Sequence, residues 1–188
     1  MKLSIVLALM VTSTVAVSAG AAEPAELKAE AKQAMMALAK NLSGELKTAM
    51  KSGGPGAAIE VCNTKALPIT AQISEQQGWQ IGRTSLKLRN AENKPDAWEL
   101  KVLQQFADQA AQGANLKTLA YSEVVDVGGQ QQFRMMKAIP VQDKCLACHG
   151  SDIAAPVAAK LQQLYPQDQA TGFKAGDLRG AFSLKKML

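Results

Sequence analysis

The chain has 188 residues, 47% of them apolar, and a formal net charge of +5, which suits one domain with a single core. Aromatic residues make up only 4%, so that core must rest on Leu, Ile, Val, Ala and Met. The 21 Lys and Arg residues form no dense block with interleaved aromatics, which argues against nucleic acid as a partner and reads as a solvated, Lys-rich surface.

Lys2 followed by an apolar run over 3–17, then Ser18-Ala19-Gly20-Ala21-Ala22, has the layout of a secretory signal peptide. The predicted organisation is a leader over 1–22 and one domain over 23–188. No later run reaches ~18 apolar residues, so a soluble, exported protein without a membrane anchor after cleavage is expected. In a bacterium the compartment would be the periplasm.

Residues 23–52 read as a long amphipathic helix, with Leu27, Ala31, Ala34, Met35, Leu38 and Leu42 recurring at helical spacing. Gly53-Gly54-Pro55-Gly56 is expected to stop it. A second helix follows, with Ala58, Cys62, Ala66, Ile69 and Ile73 on one stripe, a kink expected at Pro68 and an end at Gly78. Residues 79–90 change to a strand or extended segment. Pro95-Asp96 then opens a third helix, through Trp98, Leu103 and Phe106 to about Gln112. Residues 119–127 and 132–141, joined across Gly128-Gly129, give a β-hairpin pattern. In its second strand Phe133, Met135 and Lys137 face one way, and Arg134, Met136 and Ala138 the other. A short helix over 155–164, a turn-rich loop and a last strand over 178–185 complete the order. Grouped strands with helices to one side predict an α+β fold around an antiparallel sheet.

Between the hairpin and the short helix stands Cys145-Leu146-Ala147-Cys148-His149, followed by Gly150. C-x-x-C-H is the attachment signature of a c-type haem. Each thiol adds across one vinyl group, and the histidine supplies the proximal nitrogen to the iron. A redox dithiol or half of a zinc site shares the C-x-x-C spacing, but a zinc site needs further ligands. One covalent haem c, held by Cys145, Cys148 and His149, is the expected cofactor.

The sixth iron position is left open by the residues. His149 is the only histidine, so bis-histidine ligation within one chain is excluded. Met135 and Met136, just before the motif, are candidates, although methionines on a strand usually pack a core. Cys62 is the third cysteine, without a disulfide partner once haem takes the other two; it reads as a distal ligand, as a buried core thiol or as a site of intermolecular pairing. Arg83, Arg89, Lys87 and Lys137 are candidates for pairing with haem propionates, with plain surface or structural roles as the alternative.

Val61-Cys62-Asn63, Ile81-Gly82-Arg83-Thr84-Ser85-Leu86-Lys87, Arg89-Asn90, Pro95-Asp96, the C-x-x-C-H-Gly run, Tyr165-Pro166 with Asp168, and Arg179-Gly180-Ala181 follow one another in a specific order. In that order they resemble the bacterial c-type haem proteins long catalogued as a domain of unknown function, with a PAS-like fold. Ala91 departs from the pattern, which has proline after Arg-Asn. The resemblance implies a PAS-like antiparallel sheet flanked by N-terminal helices. It further implies axial ligation of the iron by His149 and, unusually, by Cys62. A redox or gas sensor is the implied role, with a diatomic gas as ligand and a separate periplasmic redox or signalling partner. A monohaem electron carrier is the alternative. Thiosulfate-type sulfur oxidation ranks lower, since no acid–base constellation surrounds the motif, and no catalytic residue is assigned.

Overall fold

One strand shows how the layers are built. Residues 24–188 are described by the computed structural model, so the expected leader over 1–22 lies outside the described residues. Strand β3 (Gln130–Pro140) buries both of its sides. Phe133 and Met135 pack on one face of the sheet, and Met136 and Ala138 on the other. With β1 (Gln80–Thr84), β2 (Ala120–Val127) and β4 (Leu178–Met187), it forms an antiparallel sheet in the order β1-β4-β3-β2. The β2–β3 hairpin turns through Gly128 and Gly129, whose φ angles of 65° and 86° give the left-handed pair that a two-residue turn requires.

Helix α1 (Pro24–Thr64) covers the first face. Leu27, Ala31, Ala34 and Leu38, spaced four, three and four apart, lie against Phe133, Met135, Leu184, Ile81 and Trp79. Removing each large side chain of this stripe from water stabilises the fold by about 1.5–3 kcal/mol. Trp79 meets Phe133 edge-on, with ring centroids 5.9 Å apart. Helix α2 (Ala66–Gln77) completes this layer through Ile73 and ends at Gly78, whose φ of 66° provides the left-handed cap.

Helix α3 (Ala97–Ala111) covers the opposite face, packing Val102, Leu103 and Phe106 on Met136, Ala138 and Ala181. Helices therefore lie on both sides of the sheet, whereas the sequence pattern suggested one. The full burial of Met136, on the side opposite Met135, is the physical reason. Asp96 caps α3 in the expected place. Its carboxylate accepts from the Glu99 amide at 2.8 Å, and Glu99 returns the bond to the Asp96 amide at 2.9 Å.

Two helix boundaries differ from expectation. The glycine-rich run bends α1 without ending it, because only Gly54 leaves helical geometry (φ 68°, ψ −160°). Pro55 then starts the next helical stretch, where an absent N–H costs nothing. The second break falls at Lys65, one turn before Pro68. Pro68 can neither donate to the Thr64 carbonyl nor lie against it, so the chain interrupts at that carbonyl.

Beyond the kink, Ile59 of α1 packs on Val157, Leu161 and Tyr165, placing α1 against α5 (Ala155–Leu164). At the end of β3, Ile139 pairs with Gly180 and Pro140 with Leu178, so Arg179 is the extra residue of a bulge. Such a bulge re-aims a side chain. Here it sends Arg179 toward Ser85 and the Lys87 carbonyl.

Candidate functional site

Strand β3 leads into a 3-10 turn, Asp143–Cys145, and then into the one-turn helix α4 (Leu146–His149). Cys145, Cys148 and His149 therefore lie together on tightly wound backbone. Gly150 ends the turn, donating to the Leu146 carbonyl at 2.9 Å. A Cβ at position 150 would come within 2.7 Å of that oxygen, so the closure needs glycine. The amides of Gly172 and Phe173 donate to the carbonyls of Gly150 and His149, both at 2.9 Å, and fasten the following loop beneath the motif.

His149 is oriented by this loop. Its Nδ1 lies 2.7 Å from the Ala170 carbonyl oxygen. A carbonyl only accepts, so Nδ1 carries the proton and Nε2 keeps a free lone pair. Burial, followed by the positive charges of Arg179 and Arg89, lowers the imidazole pKa to about 4 against the opposing pull of the Ala170 bond and Asp168. The ring is neutral at physiological pH and ready to ligate through Nε2. The Phe173 ring stands edge-on to it, with centroids 6.2 Å apart at 87°.

Arg89 closes the proximal side. Its side chain is 11% exposed, and it pairs with Asp168, which is 9% exposed. The guanidinium donates through Nε to Asp168 Oδ2 at 3.0 Å and through one terminal nitrogen to the carbonyls of Cys148 and Ala170. Asp168 in turn accepts from the Ala170 amide at 2.8 Å. The Gln169 amide donates to the Leu88 carbonyl at 2.7 Å, joining the two loops that carry this pair.

Cys62 lies on α1 beyond the kink at Gly54. Its thiol is exposed. The surrounding protein pushes the Cys62 pKa up, Arg83 pulls it down, Cys148 pushes it up again, and Arg89 adds the smallest downward pull. Cys62 and the C-x-x-C-H motif are thus brought within electrostatic reach of one another. Arg83 lies on β1 two residues after Ile81, so alternation points it to the face covered by α1. It faces Cys62 and Tyr165, and burial lowers its pKa.

The other candidates separate. Met135 and Met136 are spent on packing the two faces of the sheet. Lys137 donates to the Lys117 and Leu119 carbonyls. Arg89 is committed to the network under His149, whereas Lys87 and Arg179 lie over the Phe173 ring at 5.2 and 5.5 Å. Among the described residues the Arg83 side chain has no hydrogen bond or ion pair, while its backbone pairs with β4. Arg83, Arg179 and Lys87 therefore keep donor capacity free near the site. Asp168, Phe173, Arg179 and the Ala170 carbonyl were given no role from the sequence. The available signal was the place of Asp168 and Arg179 in the ordered run of motifs that carries the resemblance.

The donor set fits a c-type haem: two thiols three residues apart and an adjacent neutral imidazole with Nε2 free. A bare metal ion has no ligand set of three His, Cys, Asp or Glu side chains among the described residues.

A family model described as "Tll0287-like: Tll0287" matches residues 18–186. A solved structure, the crystal structure of the cyanobacterial heme-protein Tll0287, superposes with a TM-score of 0.62 at 30% identity, covering 87% of this chain and 95% of that one. No curated protein matches the chain significantly. With nearly the whole described chain inside the family model and a solved relative of the same extent, the chain belongs to the Tll0287-like family.

Proposed function

We propose that this chain is a periplasmic monohaem c-type protein with a PAS-like domain, acting as a redox or gas-responsive module without turnover of its own. The reading is carried by His149, whose Nδ1 proton is already engaged by Ala170 so that Nε2 is presented beside the two cysteines. The solved relative being a heme-protein supports it. When bound, the haem supplies one-electron exchange and an axial coordination position. Cys145 and Cys148 hold it through thioethers, and His149 provides the proximal nitrogen. Mass spectrometry of the denatured mature protein is expected to show one haem-sized increment. Haem that extracts into acidified organic solvent would refute the covalent attachment.

Cys62 is the distal ligand in this reading, as a thiolate in the ferric protein. It lies beyond the Gly54 kink, on the stretch of α1 that packs on α5 through Ile59 and not on the sheet, so its release would act on that stretch while Leu27 to Leu38 stay docked. A ligand or electron shifts such an equilibrium only through a difference in free energy between the attached and detached forms. Ferric and ferrous spectra before and after carbon monoxide test this. Cys62→Ala is expected to convert a low-spin ferric spectrum to high-spin or water-ligated, to raise the potential and to bind carbon monoxide more readily when reduced. An unchanged ferric spectrum would remove Cys62 from the iron. Bound Cys62 in both oxidation states, with no gas binding and steady exchange with a cytochrome, would make the protein an electron carrier. Rapid thiosulfate oxidation would make it an enzyme.

A further inference from the structure

The Ala170 peptide is gripped from three directions. Its amide donates to Asp168 Oδ1 at 2.8 Å. Its carbonyl accepts from His149 Nδ1 at 2.7 Å and from the Arg89 guanidinium at 3.1 Å. The same guanidinium pairs with Asp168 and reaches the Cys148 carbonyl, inside the motif itself. Both charged side chains are about nine-tenths buried. Ala170 is itself fully buried, so water does not replace any of these bonds.

We propose that the Arg89–Asp168 pair positions His149 and sets how strongly it donates to the iron. The argument rests on the reading that His149 is the proximal ligand of a covalent haem. A carbonyl accepting the Nδ1 proton raises the basicity of a ligating imidazole. Arg89 draws on the same oxygen, so the carbonyl accepts less strongly from His149 and the imidazole donates less. Weaker donation favours the ferrous state and keeps the potential higher than an unshared carbonyl would give. Asp168 acts in the opposite sense, since it partly neutralises Arg89 while holding the Ala170 amide in place.

The test is the midpoint potential of the haem-loaded protein in four variants, with the His149 Nδ1 proton followed by NMR in the reduced state. Arg89→Gln is expected to lower the potential and move the Nδ1 proton downfield as its bond to Ala170 strengthens. Asp168→Asn is expected to raise the potential and move that proton upfield. The double variant Arg89→Gln/Asp168→Asn removes one charge of each sign, so a field effect nearly cancels and a buried charge is not left alone. It is expected to retain a lowered potential. Arg89→Lys keeps the charge but loses the planar fork, and is expected to shift the Nδ1 proton in the same direction as Arg89→Gln by a smaller amount. Potentials and proton shifts that stay at the wild-type values in the folded, haem-loaded variants would overturn the proposal. So would shifts of one sign in Arg89→Gln and Asp168→Asn alike. Wild-type protein without covalent haem would overturn the underlying reading instead, and this proposal with it. If both single variants fail to fold, the double variant and Arg89→Lys decide the question.

Discussion

The protein buries two arginines in ion-pair networks, and the contrast between them separates what holds the fold from what builds the site. Arg134 lies between β3 and α3, both regular elements. It donates to Asp96 at 2.6 Å, lies 3.6 Å from Glu99 and stacks over the Trp98 ring at 4.2 Å. Lys185 joins from β4 at 2.7 Å from Asp96, and Ser183 donates to Glu99 at 2.7 Å. This network fastens the cap of a helix to the middle of a sheet. Arg89, by comparison, joins two loops and a one-turn helix, and three of its four hydrogen bonds and ion contacts involve carbonyls or a carboxylate of irregular backbone. The first network needs its charges to lock layers that hydrophobic packing already brings together. The second joins irregular backbone, where hydrogen bonds together with the edge-on Phe173 ring decide where His149 points.

That contrast is open to attack from the structural side. Removing Arg134 is expected to have the largest effect. Arg134→Met leaves the buried Glu99 and the partly exposed Asp96 with Lys185 as their one remaining cation, and stability is expected to fall by about 3 kcal/mol. Urea unfolding measures it, and the His149 region should be unchanged in a folded sample. A loss of haem attachment without a loss of stability would show that the two networks are not separate.

Gly180 lies on β4 beside Arg179, close against the end of β1. A Cβ there would meet the Thr84 carbonyl oxygen at 2.3 Å and Ser85 Cβ at 3.0 Å. Gly180→Ala is expected to push β4 from the end of β1 and cost about 2 kcal/mol, within the range for overpacked cores. It should also disturb the Ser85–Arg179 bonds near the site, at 2.7 and 3.0 Å. Thermal unfolding checks the first effect. A wild-type melting temperature in Gly180→Ala would mean that the strands have room to part.

The smallest effect concerns Asp96 and pH. Burial alone would raise its pKa, but hydrogen bonds from Lys185, the Glu99 amide and Arg134 hold it at about 2, below the ordinary 3.8. A depressed carboxylate stabilises the fold fully above its unfolded pKa, and that contribution is lost as pH falls through the folded value. The stability curve of the wild type should therefore decline between pH 3.8 and about 2 more steeply than that of Asp96→Asn. At neutral pH the variant should lose roughly 1 kcal/mol, since asparagine still caps a helix while the ion pairs are gone. Parallel acid curves would show that these hydrogen bonds do not distinguish the charged form.

Much of this architecture could be read before any coordinates. The hairpin was legible because Gly128-Gly129 separates two alternating runs, and α3 because Pro95-Asp96-Ala97 precedes a helical stripe with Glu99 at the third position. The glycines mark the bend of α1, but Gly53 to Gly56 read as an end in sequence because a proline such as Pro55 serves equally well as a helix start. Helices on both faces were not legible from Phe133 to Ala138, because a strand buried on two sides by a mixture of Met, Ala and Arg resembles one with a solvated face.

For the site, the sequence by itself carried the chemical expectation: three residues of two types in a five-residue motif have the spacing of a c-type haem signature, and that spacing is local. Tertiary structure decided everything that depends on residues far apart in the chain. It put Cys62 near the motif while it consumed Met135 and Met136 in packing, and it gave Arg89 to Asp168, 79 positions away, rather than to an outside anion. Neither choice has a local signature. Which side chains meet is set by how the layers close over the sheet, and a charge is assigned a role only when folding has removed the water that would otherwise serve it.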